Sequence, residues 1–490
     1  MSKRIIVIGS GIAGLSAACC LAQSGAEVTV LEKNSTPGGR ARQFDADGFR
    51  FDMGPSWYWM PDVFEHFFAR FGKKPSDYYE LKRLDPSYQV FFGKNEVMPL
   101  PADAKGILSL FDRYEPGSSQ KLIRFLTDAE YKYRTGMQEF VFKPSHSALE
   151  YFDWKILKAG MRMKLLQSLS SEIRSLFRDP RLIQILEFPV LFLGATPDQT
   201  PAMYSMMNYA DMVLGTWYPM GGMGKIIDGM VSLAKELGVQ FEFDAEVTQI
   251  QTEGKKAKAI LTSDGKRYTA DTVVGGADYH HVEQLLGKPD RQYNDAYWTK
   301  RVMAPSSLLF YLGIEGRLEG VEHHNLFFDA DFEKHSEEIY RDPKWPSNPL
   351  FYMCVPSKTD PSVAPAGKEN LFLLIPIAPG LPDTPEIREK YLQLLLQRIQ
   401  NLTGQSLAGR ISYQRSYCIN DFISDYHSYR GNAYGLANTL KQTAFLKPKM
   451  KSRKVDNLFF TGQLTVPGPG MPPALISGQI VAREVMKHYA

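Results

Sequence analysis

Three glycines near the N-terminus have the spacing of a dinucleotide-binding turn. Gly9, Gly11 and Gly14 follow the pattern G-x-G-x-x-G. The intervening residues are Ser10, Ile12 and Ala13. In such a turn the first glycine permits a tight bend, the second lets a pyrophosphate approach the backbone, and the third allows close packing of a helix on a strand. The N–H groups that open the helix favour the phosphate charge. The spacing therefore predicts a dinucleotide site.

The segments around these glycines can form the elements that such a site requires. Residues 4–8 are a β-branched run, residues 14–24 are compatible with a helix, and residues 27–32 form a second strand-like run. This is a β-α-β unit of a parallel sheet. Glu32 ends the second strand, where a carboxylate accepts hydrogen bonds from both ribose hydroxyls and disfavours a 2′-phosphate. Lys33 follows it. The alternative is a glycine turn in an ordinary α/β protein.

A second glycine cluster indicates which dinucleotide binds. Glu32 is followed within ten residues by Gly38, Gly39, Arg40 and Ala41. This combination resembles the E…GGR signature of two-domain flavoproteins related to amine oxidases. The resemblance implies FAD, with the two glycines and the arginine near its ribityl and phosphate portion. A surface turn with a solvated arginine is the alternative.

Three further segments extend the resemblance to almost the whole chain. Residues 51–56 (FDMGPS), residues 218–223 (YPMGGM) and the tail 462–473 are similar to the bacterial and fungal type of phytoene desaturase, within the carotenoid desaturase family. That resemblance implies an enzyme that introduces double bonds into a long isoprenoid polyene. It also implies backbone contact between Val247 and the adenine. The other implied cofactor contacts are Met53, Gly54, Pro55, Ser56, Gly462, Gly468, Gly470, Met471 and Pro472.

The tail differs from the family pattern at one position that bears on catalysis. Many members carry Thr-His-Pro in this loop, whereas this chain has Thr465-Val466-Pro467, so a histidine here cannot be the base. Pro472 and Pro473 predict the start of a helix whose N-terminal N–H groups point at the loop. Such an end would stabilise negative charge on a reduced flavin. A helix that only packs is the alternative.

A polyene desaturase needs a hydride acceptor, a dry apolar channel and a proton acceptor. Residues 57–60 (WYWM) follow the Gly-Pro-Ser segment directly, and Phe188 with residues 191–193 adds a second apolar group. We expect these residues to line the channel, although ordinary core is the alternative. Asp153 best matches an acidic residue proposed for the family. A helix cap is the other interpretation of Asp153.

Composition excludes several other classes of function. The 490 residues carry 57 basic and 54 acidic side chains, a balance that gives no reason to expect nucleic acid as a partner. The four cysteines form no CxxC pair, and the nine histidines show no metal-ligand spacing, so we expect no metal. No apolar run approaches the ~20 residues that span a bilayer.

The order of strand-like and helix-like segments predicts an α/β fold. We expect a discontinuous Rossmann-type FAD-binding domain, a substrate domain with a mixed or antiparallel sheet, and a helical lobe. The predicted FAD-binding domain comprises residues 1–75, 215–290 and 445–490. The sheet domain comprises residues 76–125 and 291–444, starting with a hairpin that turns near residues 93–95. The helical lobe comprises residues 126–214.

The substrate implies where the protein works. A long hydrocarbon resides in the bilayer, and residues 154–178 combine apolar and basic side chains as a surface-bound helix does. We expect a cytoplasmic protein attached peripherally to one leaflet, with oxygen or a quinone as electron acceptor. An ordinary lobe helix with a solvated basic face is the alternative.

Other proteins of the same fold are alternative interpretations. They are an amine oxidase, a retinol saturase, a polyene isomerase, and a flavin-free lipid-binding protein resembling the Rab GDP-dissociation inhibitors. Many amine oxidases bind their flavin through a late cysteine, but Cys418 lies well before the tail loop. The intact glycine turn, Glu32 and Arg40 disfavour a flavin-free protein.

Overall fold

The computed structural model of the chain describes residues 2–147, 150, 167–193, 196–439 and 442–489, with the backbone alone at residues 191–193. Asp153 and most of the basic segment 154–178 therefore lie outside the described residues. Within the described ranges, no helix is both long and apolar enough to cross a membrane.

The described strands form five sheets, which the helices cover. In chain order the strands are β1 (Arg4–Ile8), β2 (Glu27–Leu31), β3 (Gln43–Ala46), β4 (Phe49–Asp52), β5 (Leu81–Arg83), β6 (Tyr88–Gly93), β7 (Glu96–Leu100), β8 (Trp217–Pro219), β9 (Gln240–Glu242), β10 (Val247–Glu253), β11 (Lys256–Thr262), β12 (Arg267–Thr269), β13 (Thr272–Gly275), β14 (Ser306–Ile314), β15 (His324–Phe327), β16 (Phe351–Cys354), β17 (Glu369–Ile377), β18 (Ile411–Tyr417) and β19 (Leu458–Phe460).

The α-helices connect these strands and form a separate group between β7 and β8. In chain order they are α1 (Ile12–Gln23), α2 (Pro61–Ala69), α3 (Ala104–Tyr114), α4 (Ser118–Thr135), α5 (Leu169–Leu176), α6 (Pro180–Glu187), α7 (Met206–Met212), α8 (Gly224–Glu236), α9 (Tyr279–Gln284), α10 (Asp295–Thr299), α11 (Phe332–Tyr340), α12 (Pro385–Thr403), α13 (Ile419–Tyr426) and α14 (Met471–Tyr489).

A parallel sheet of five strands carries the N-terminal glycine turn. Its order is β19-β13-β1-β2-β9, and every neighbouring pair is parallel. β1 and β2 are rich in valine and isoleucine, as strands buried on both faces are, and α1 packs against them. The predicted β-α-β unit is confirmed. Because β19 comes from the end of the chain, both termini build this one layer.

A mixed sheet of seven strands forms the second layer, in the order β18-β14-β17-β16-β15-β6-β7. The predicted hairpin is confirmed, since β6 and β7 are joined by a turn at Lys94 and Asn95. Side chains alternate between the two faces of the central strand β14. Leu308 and Phe310 pack with α12, whereas Leu309 lies on the opposite face, toward the cavity described below.

Two consecutive strands, β9 and β10, belong to different sheets. β9 joins the parallel sheet, whereas β10 pairs with β11 in a small antiparallel sheet. Asp244 separates them with a φ of 53°, in the left-handed region that a strand cannot contain. The Ala245 N–H then donates to the Glu32 carbonyl at 2.8 Å and brings Val247 beside the glycine turn.

Buried polar contacts hold the described part of the helical group together. Lys132 on α4 is fully buried and pairs with Glu172 on α5 at 2.9 Å. Its ammonium also donates to Ser205 Oγ at 3.0 Å, just before α7. An ammonium with this many partners orders three segments at once.

The division of the chain into three domains at the expected boundaries stays a prediction.

Candidate active site

One large cavity, of about 1190 Å³, lies between the parallel sheet, the mixed sheet and the helical group. The predicted cofactor residues that line it are Gly9, Gly11, Ile12, Ala13, Glu32, Lys33, Gly38, Gly39, Arg40, Ala41, Met53, Gly54, Pro55, Ser56, Val247, Gly462, Gly470, Met471 and Pro472. Ser10, Gly14 and Gly468 do not line it. Segments that are more than 460 residues apart in the chain therefore meet around one space.

The three glycines of the N-terminal turn occupy different environments. Gly9 has a φ of 93°, in the left-handed region. A Cβ at Gly14 would come well within 3.0 Å of the Gly9 carbonyl oxygen, so this glycine allows α1 to pack onto the turn. A Cβ at Gly11 would meet no atom within 4 Å, because this residue faces the open cavity. The turn thus leaves space at the position where a pyrophosphate is predicted.

Glu32 is buried and already saturated with hydrogen bonds from the protein. Its Oε2 accepts from the Ser10 N–H at 2.8 Å and the Ser10 hydroxyl at 2.6 Å. Its Oε1 accepts from the N–H and the side-chain amide of Asn34, both at 2.9 Å. A ribose hydroxyl would therefore have to replace the Ser10 hydroxyl or the Asn34 amide. Nothing in the residue spacing had indicated these two partners.

The half-buried Arg40 and the buried Asp278 lie close enough beside the turn for their opposite charges to interact. Arg40 Nη2 donates to Ser428 Oγ at 2.8 Å, whereas its Nε has no hydrogen-bond partner among the described residues. Burial lowers the pKa of the guanidinium, and the charge of Asp278 opposes that shift. Burial raises the pKa of Asp278 to about 6. A buried guanidinium with an unused N–H is suited to an anionic ligand.

The tail loop is held in place by one hydroxyl. Ser477 Oγ accepts from the Gly462 N–H at 3.0 Å and from the Thr461 hydroxyl at 2.9 Å. The Thr465 hydroxyl lies 3.0 Å from the same atom and donates to the Gly462 carbonyl at 2.8 Å. These bonds fix the backbone of the wall formed by residues 461–466. Val466, at the histidine position of the family pattern, lines this wall.

The start of α14 offers fewer donors than we expected. Pro472 and Pro473 have no N–H, and the Ala474 N–H donates to the Gly470 carbonyl at 3.0 Å. Among the first four residues of the helix, only Met471 therefore has an N–H left for a ligand. The Ala474 N–H does point at the loop, as expected, but it is used by the protein, and the two prolines in the sequence explain why so few other donors remain.

α14 brings the tail loop against the N-terminal turn. A Cβ at Gly478 would lie well within 3.0 Å of the Ala13 carbonyl oxygen, so the backbones of α14 and α1 are in contact. The Ser16 hydroxyl donates to the Leu475 carbonyl at 2.6 Å. This contact joins the two ends of the chain at the cavity.

The part of the cavity away from the glycine turn is mostly apolar. Its lining includes Trp57, Trp59, Met60, Met137, Phe140, Val141, Met203, Met206, Met207, Leu309, Tyr352, Leu374, Phe422 and Phe445. We call this region the apolar arm. Tyr58, which we expected here, instead points away and its hydroxyl lies 3.0 Å from that of Tyr79. Phe188 packs behind Trp57, with ring centroids 6.1 Å apart, and the side chains of residues 191–193 are outside the description.

Two polar side chains at the tail loop were not identified from the sequence. Lys447 is 2% exposed, and its Nζ has no hydrogen-bond partner in the described chain. Asn438 lines the cavity, and its Oδ1 also lacks a partner there. Both lie at Gly468, where a Cβ would be 3.0 Å from Asn438 Oδ1 and 3.4 Å from Lys447 Nζ. A lone lysine and a lone asparagine form no pattern that could have identified them.

The structure also brings together histidine and cysteine side chains, which can bind metal ions, although their spacing in the sequence did not indicate a metal site. Possible ligand atoms of His323, His324 and Cys354 lie within 4.8 Å of one another. His324 and Cys354 are direct partners on the paired strands β15 and β16. Nδ1 of His324 lies 2.6 Å from the Tyr352 hydroxyl, and burial lowers the pKa of this histidine far below its usual range. The imidazole is therefore neutral and engaged by the protein.

Comparison with known proteins identifies the family. A family model described as flavin-containing amine oxidoreductase matches residues 12–486. The chain belongs to this family. This flavin oxidoreductase is an enzyme that depends on FAD, as the glycine turn and the E…GGR segment predicted.

Its relatives confirm the predicted resemblance to carotenoid desaturases. The flavin oxidoreductase is 45% identical over 100% of its length to a carotenoid 3,4-desaturase of Haloarcula japonica, of which 99% is covered. It is 31% identical over 99% of its length to a zeta-carotene-forming phytoene desaturase of Myxococcus xanthus, of which 94% is covered. An oxidoreductase structure from Methanosarcina mazei has a TM-score of 0.64 at 18% identity, covering 99% of this chain and 100% of that one. This likeness concerns the fold alone and agrees with the predicted α/β class.

Proposed function

We propose that this enzyme introduces a double bond into a long isoprenoid polyene, as a carotenoid desaturase does. The observation that carries the proposal is the continuity of the cavity: its glycine-lined part runs without a break into the apolar arm. A hydrocarbon in the arm would thus lie end to end with a dinucleotide in the turn. The relation to carotenoid desaturases supports the same assignment.

The residues around the glycine turn fit FAD. Gly11 leaves open space for the pyrophosphate, and α1 begins immediately after it. The unused Nε of Arg40 is a buried donor that lacks an acceptor in the described chain. Val247 and Glu32 would hold the adenosine, and residues 462–471 would hold the ring. When bound, FAD supplies the hydride acceptor.

The role of the apolar arm is to hold the polyene and keep water away from the reacting carbon. Its wall combines aromatic rings with methionines such as Met137, Met206 and Met207. Thioether side chains are flexible and fill irregular gaps, which suits a long and stiff ligand. Trp57 is kept rigid by stacking on His324, with ring centroids 4.1 Å apart and planes at 10°. The assignment of Asp153 as proton acceptor stays a prediction.

We propose the 3,4 bond as the position of attack, because the relative with 45% identity is a carotenoid 3,4-desaturase. The test supplies FAD-loaded protein with two substrates in liposomes: phytoene, and a carotenoid with a conjugated centre and a saturated 3,4 bond. We expect a longer chromophore from the second substrate alone. Conversion of phytoene alone would refute the position and favour a phytoene desaturase. Conversion of neither would refute the proposed function.

We further propose that the polyene enters from one membrane leaflet. The cavity lining includes Phe140, Val141 and Lys143, which precede residues 151–166 in the sequence, and Gln167, which follows them. In the sequence, the stretch between them contains Trp154 and several leucine, methionine and basic residues. Liposome flotation tests this entry route. Replacing Lys155, Arg162 and Lys164 with glutamate should release the protein from anionic vesicles, whereas the same change at Lys255, Lys256 and Lys258 should not.

Oxygen or a quinone is our proposal for the final electron acceptor. Turnover under anaerobic conditions with and without an added quinone separates the two. A quinone-dependent enzyme would continue past one turnover only when the quinone is present.

A further inference from the structure

Lys447 is a buried cation without a counter-charge in the described part of the molecule. It is 2% exposed, and its Nζ makes no hydrogen bond there. Unpaired buried ammonium groups are rare, because removing the charge from water is costly unless a partner compensates. Burial is the single cause of the change in its acidity, and it lowers the pKa of Lys447 to about 7.

The surroundings of Lys447 connect it to the cavity. Its Nζ lies beside Gly468, in the middle of the tail loop, and Pro467, Pro469 and Gly470 of this loop line the cavity. Asn438, with its own unpartnered Oδ1, lies at the same glycine and also lines the cavity. Neither neighbour carries a charge.

A nearby half-buried lysine shows how a lysine is satisfied in this region. Lys449, two residues further on, donates to the Ser145 carbonyl at 3.0 Å and to the Phe445 carbonyl at 2.6 Å. Among the described residues, Lys447 Nζ has no such acceptor. A partner for Lys447 is therefore to be expected from whatever occupies the cavity.

We infer that Lys447 couples the redox state of the bound flavin to proton uptake, by gaining a proton at Nζ when the flavin gains negative charge. The electron pair of the hydride that the polyene loses, or two electrons from a chemical reductant in a titration, would leave the flavin more negative, and one proton from bulk water would convert the Lys447 amine to an ammonium. No bond within the protein is broken. Lys447 acts on the flavin through its charge and is thus a positioning residue, and the inference rests on FAD occupying the cavity as proposed.

The sign of the effect follows from the charge. Below about pH 7 the amine is protonated in both redox states, so the cation favours the reduced flavin and raises the midpoint potential. Reduction raises the pKa of Lys447, and between the two pKa values each two-electron reduction takes up one extra proton. One proton per two electrons adds about 30 mV per pH unit to the slope of the potential. At higher pH the amine is neutral in both states, and its effect disappears.

The experiment is a redox titration of the FAD-loaded protein between about pH 6 and pH 10, without any polyene. We expect the potential of the wild type to exceed that of Lys447→Met at low pH and to converge with it at high pH. Lys447→Arg keeps its charge and should remain above Lys447→Met throughout. Lys449→Met is the matched control and should follow the wild type.

If the plots of midpoint potential against pH run parallel for the wild type and Lys447→Met, the inference is overturned. It is also overturned if the potential of Lys449→Met lies below that of the wild type at low pH and converges with it at high pH, as expected for Lys447→Met. A wild type that binds no FAD would instead refute the proposed function.

Unfolding of the apoprotein gives a second measurement that needs no flavin. Because the pKa of Lys447 is lowered in the folded state, the unfolded chain holds more protons, and stability should rise with pH from about 7. Lys447→Met should remove this rise, and an unchanged rise would also overturn the inference.

Discussion

Alanine substitutions at Gly11 and Gly14 distinguish the glycine that contacts the cofactor from the glycine that is required for packing. Gly11→Ala places its Cβ in open space, and the backbone at this residue, with φ of −68° and ψ of 172°, is extended and open to alanine. The apoprotein should therefore gain about 0.4–1 kcal/mol of stability, because alanine restricts the unfolded chain. Gly14→Ala forces a Cβ into the Gly9 carbonyl oxygen, and such overpacking costs about 1–3 kcal/mol.

The effect on FAD is the opposite of the effect on folding. If the pyrophosphate approaches Gly11, the new methyl group displaces it from the backbone. Loss of one hydrogen bond to a charged group costs about 1.5–3 kcal/mol. At 1.4 kcal/mol for each factor of ten, FAD should bind about ten to a hundred times more weakly. The variant should thus be a well-folded protein that has lost most of its yellow colour.

Urea unfolding of the two apoproteins and a fluorescence titration with FAD measure both quantities. Wild-type FAD affinity in Gly11→Ala would show that the pyrophosphate does not approach this residue. Equal destabilisation of the two variants would show that Gly11 serves packing, as Gly14 does, and would refute the assignment of the turn.

Three further changes test other parts of the site. Gly478→Ala should push α14 away from α1, lower the free energy of unfolding by about 1–3 kcal/mol and weaken FAD binding. Thermal unfolding measures the stability and a flavin titration measures the affinity. Unchanged FAD affinity would show that this helix contact does not support the cofactor site. Asp211→Asn should reduce the loss of stability between about pH 4 and pH 7, because burial raises the pKa of Asp211 to about 7 and the folded state holds a proton that the unfolded chain releases; identical slopes in urea unfolding at several pH values would contradict this. Met207→Trp should fill the apolar arm, so that turnover falls at least about tenfold while FAD content stays constant; normal turnover would place the polyene elsewhere.

The parts of the site that the sequence predicted are those set by local geometry. Gly9 needs its left-handed φ, and Gly14 needs to lack a side chain; both requirements come from the turn itself. The β-branched strands and the position of Glu32 directly after β2 follow from periodicity over a few residues. For this reason the parallel sheet and the glycine-lined half of the cavity were predictable in detail.

The parts that the sequence did not reveal depend on contacts between distant segments. Lys447 and Asn438 become notable only because the fold buries Lys447 Nζ and Asn438 Oδ1 at Gly468, where neither atom has a hydrogen-bond partner among the described residues. His324 and Cys354 meet through the pairing of β15 with β16. Trp57 and Tyr58 have similar side chains, but they point in opposite directions, into the cavity and into the core. Composition and spacing contain no information about such directions.

Anaerobic single turnover tests the central claim most directly. FAD-loaded protein is mixed with a carotenoid whose 3,4 bond is saturated, and the absorption of the flavin and of the polyene are recorded together. The proposed function predicts that one flavin is reduced for each double bond formed, with both changes at the same rate. A polyene that changes while the flavin stays oxidised would indicate isomerisation, and a flavin that stays oxidised beside an unchanged polyene would contradict the desaturase assignment altogether.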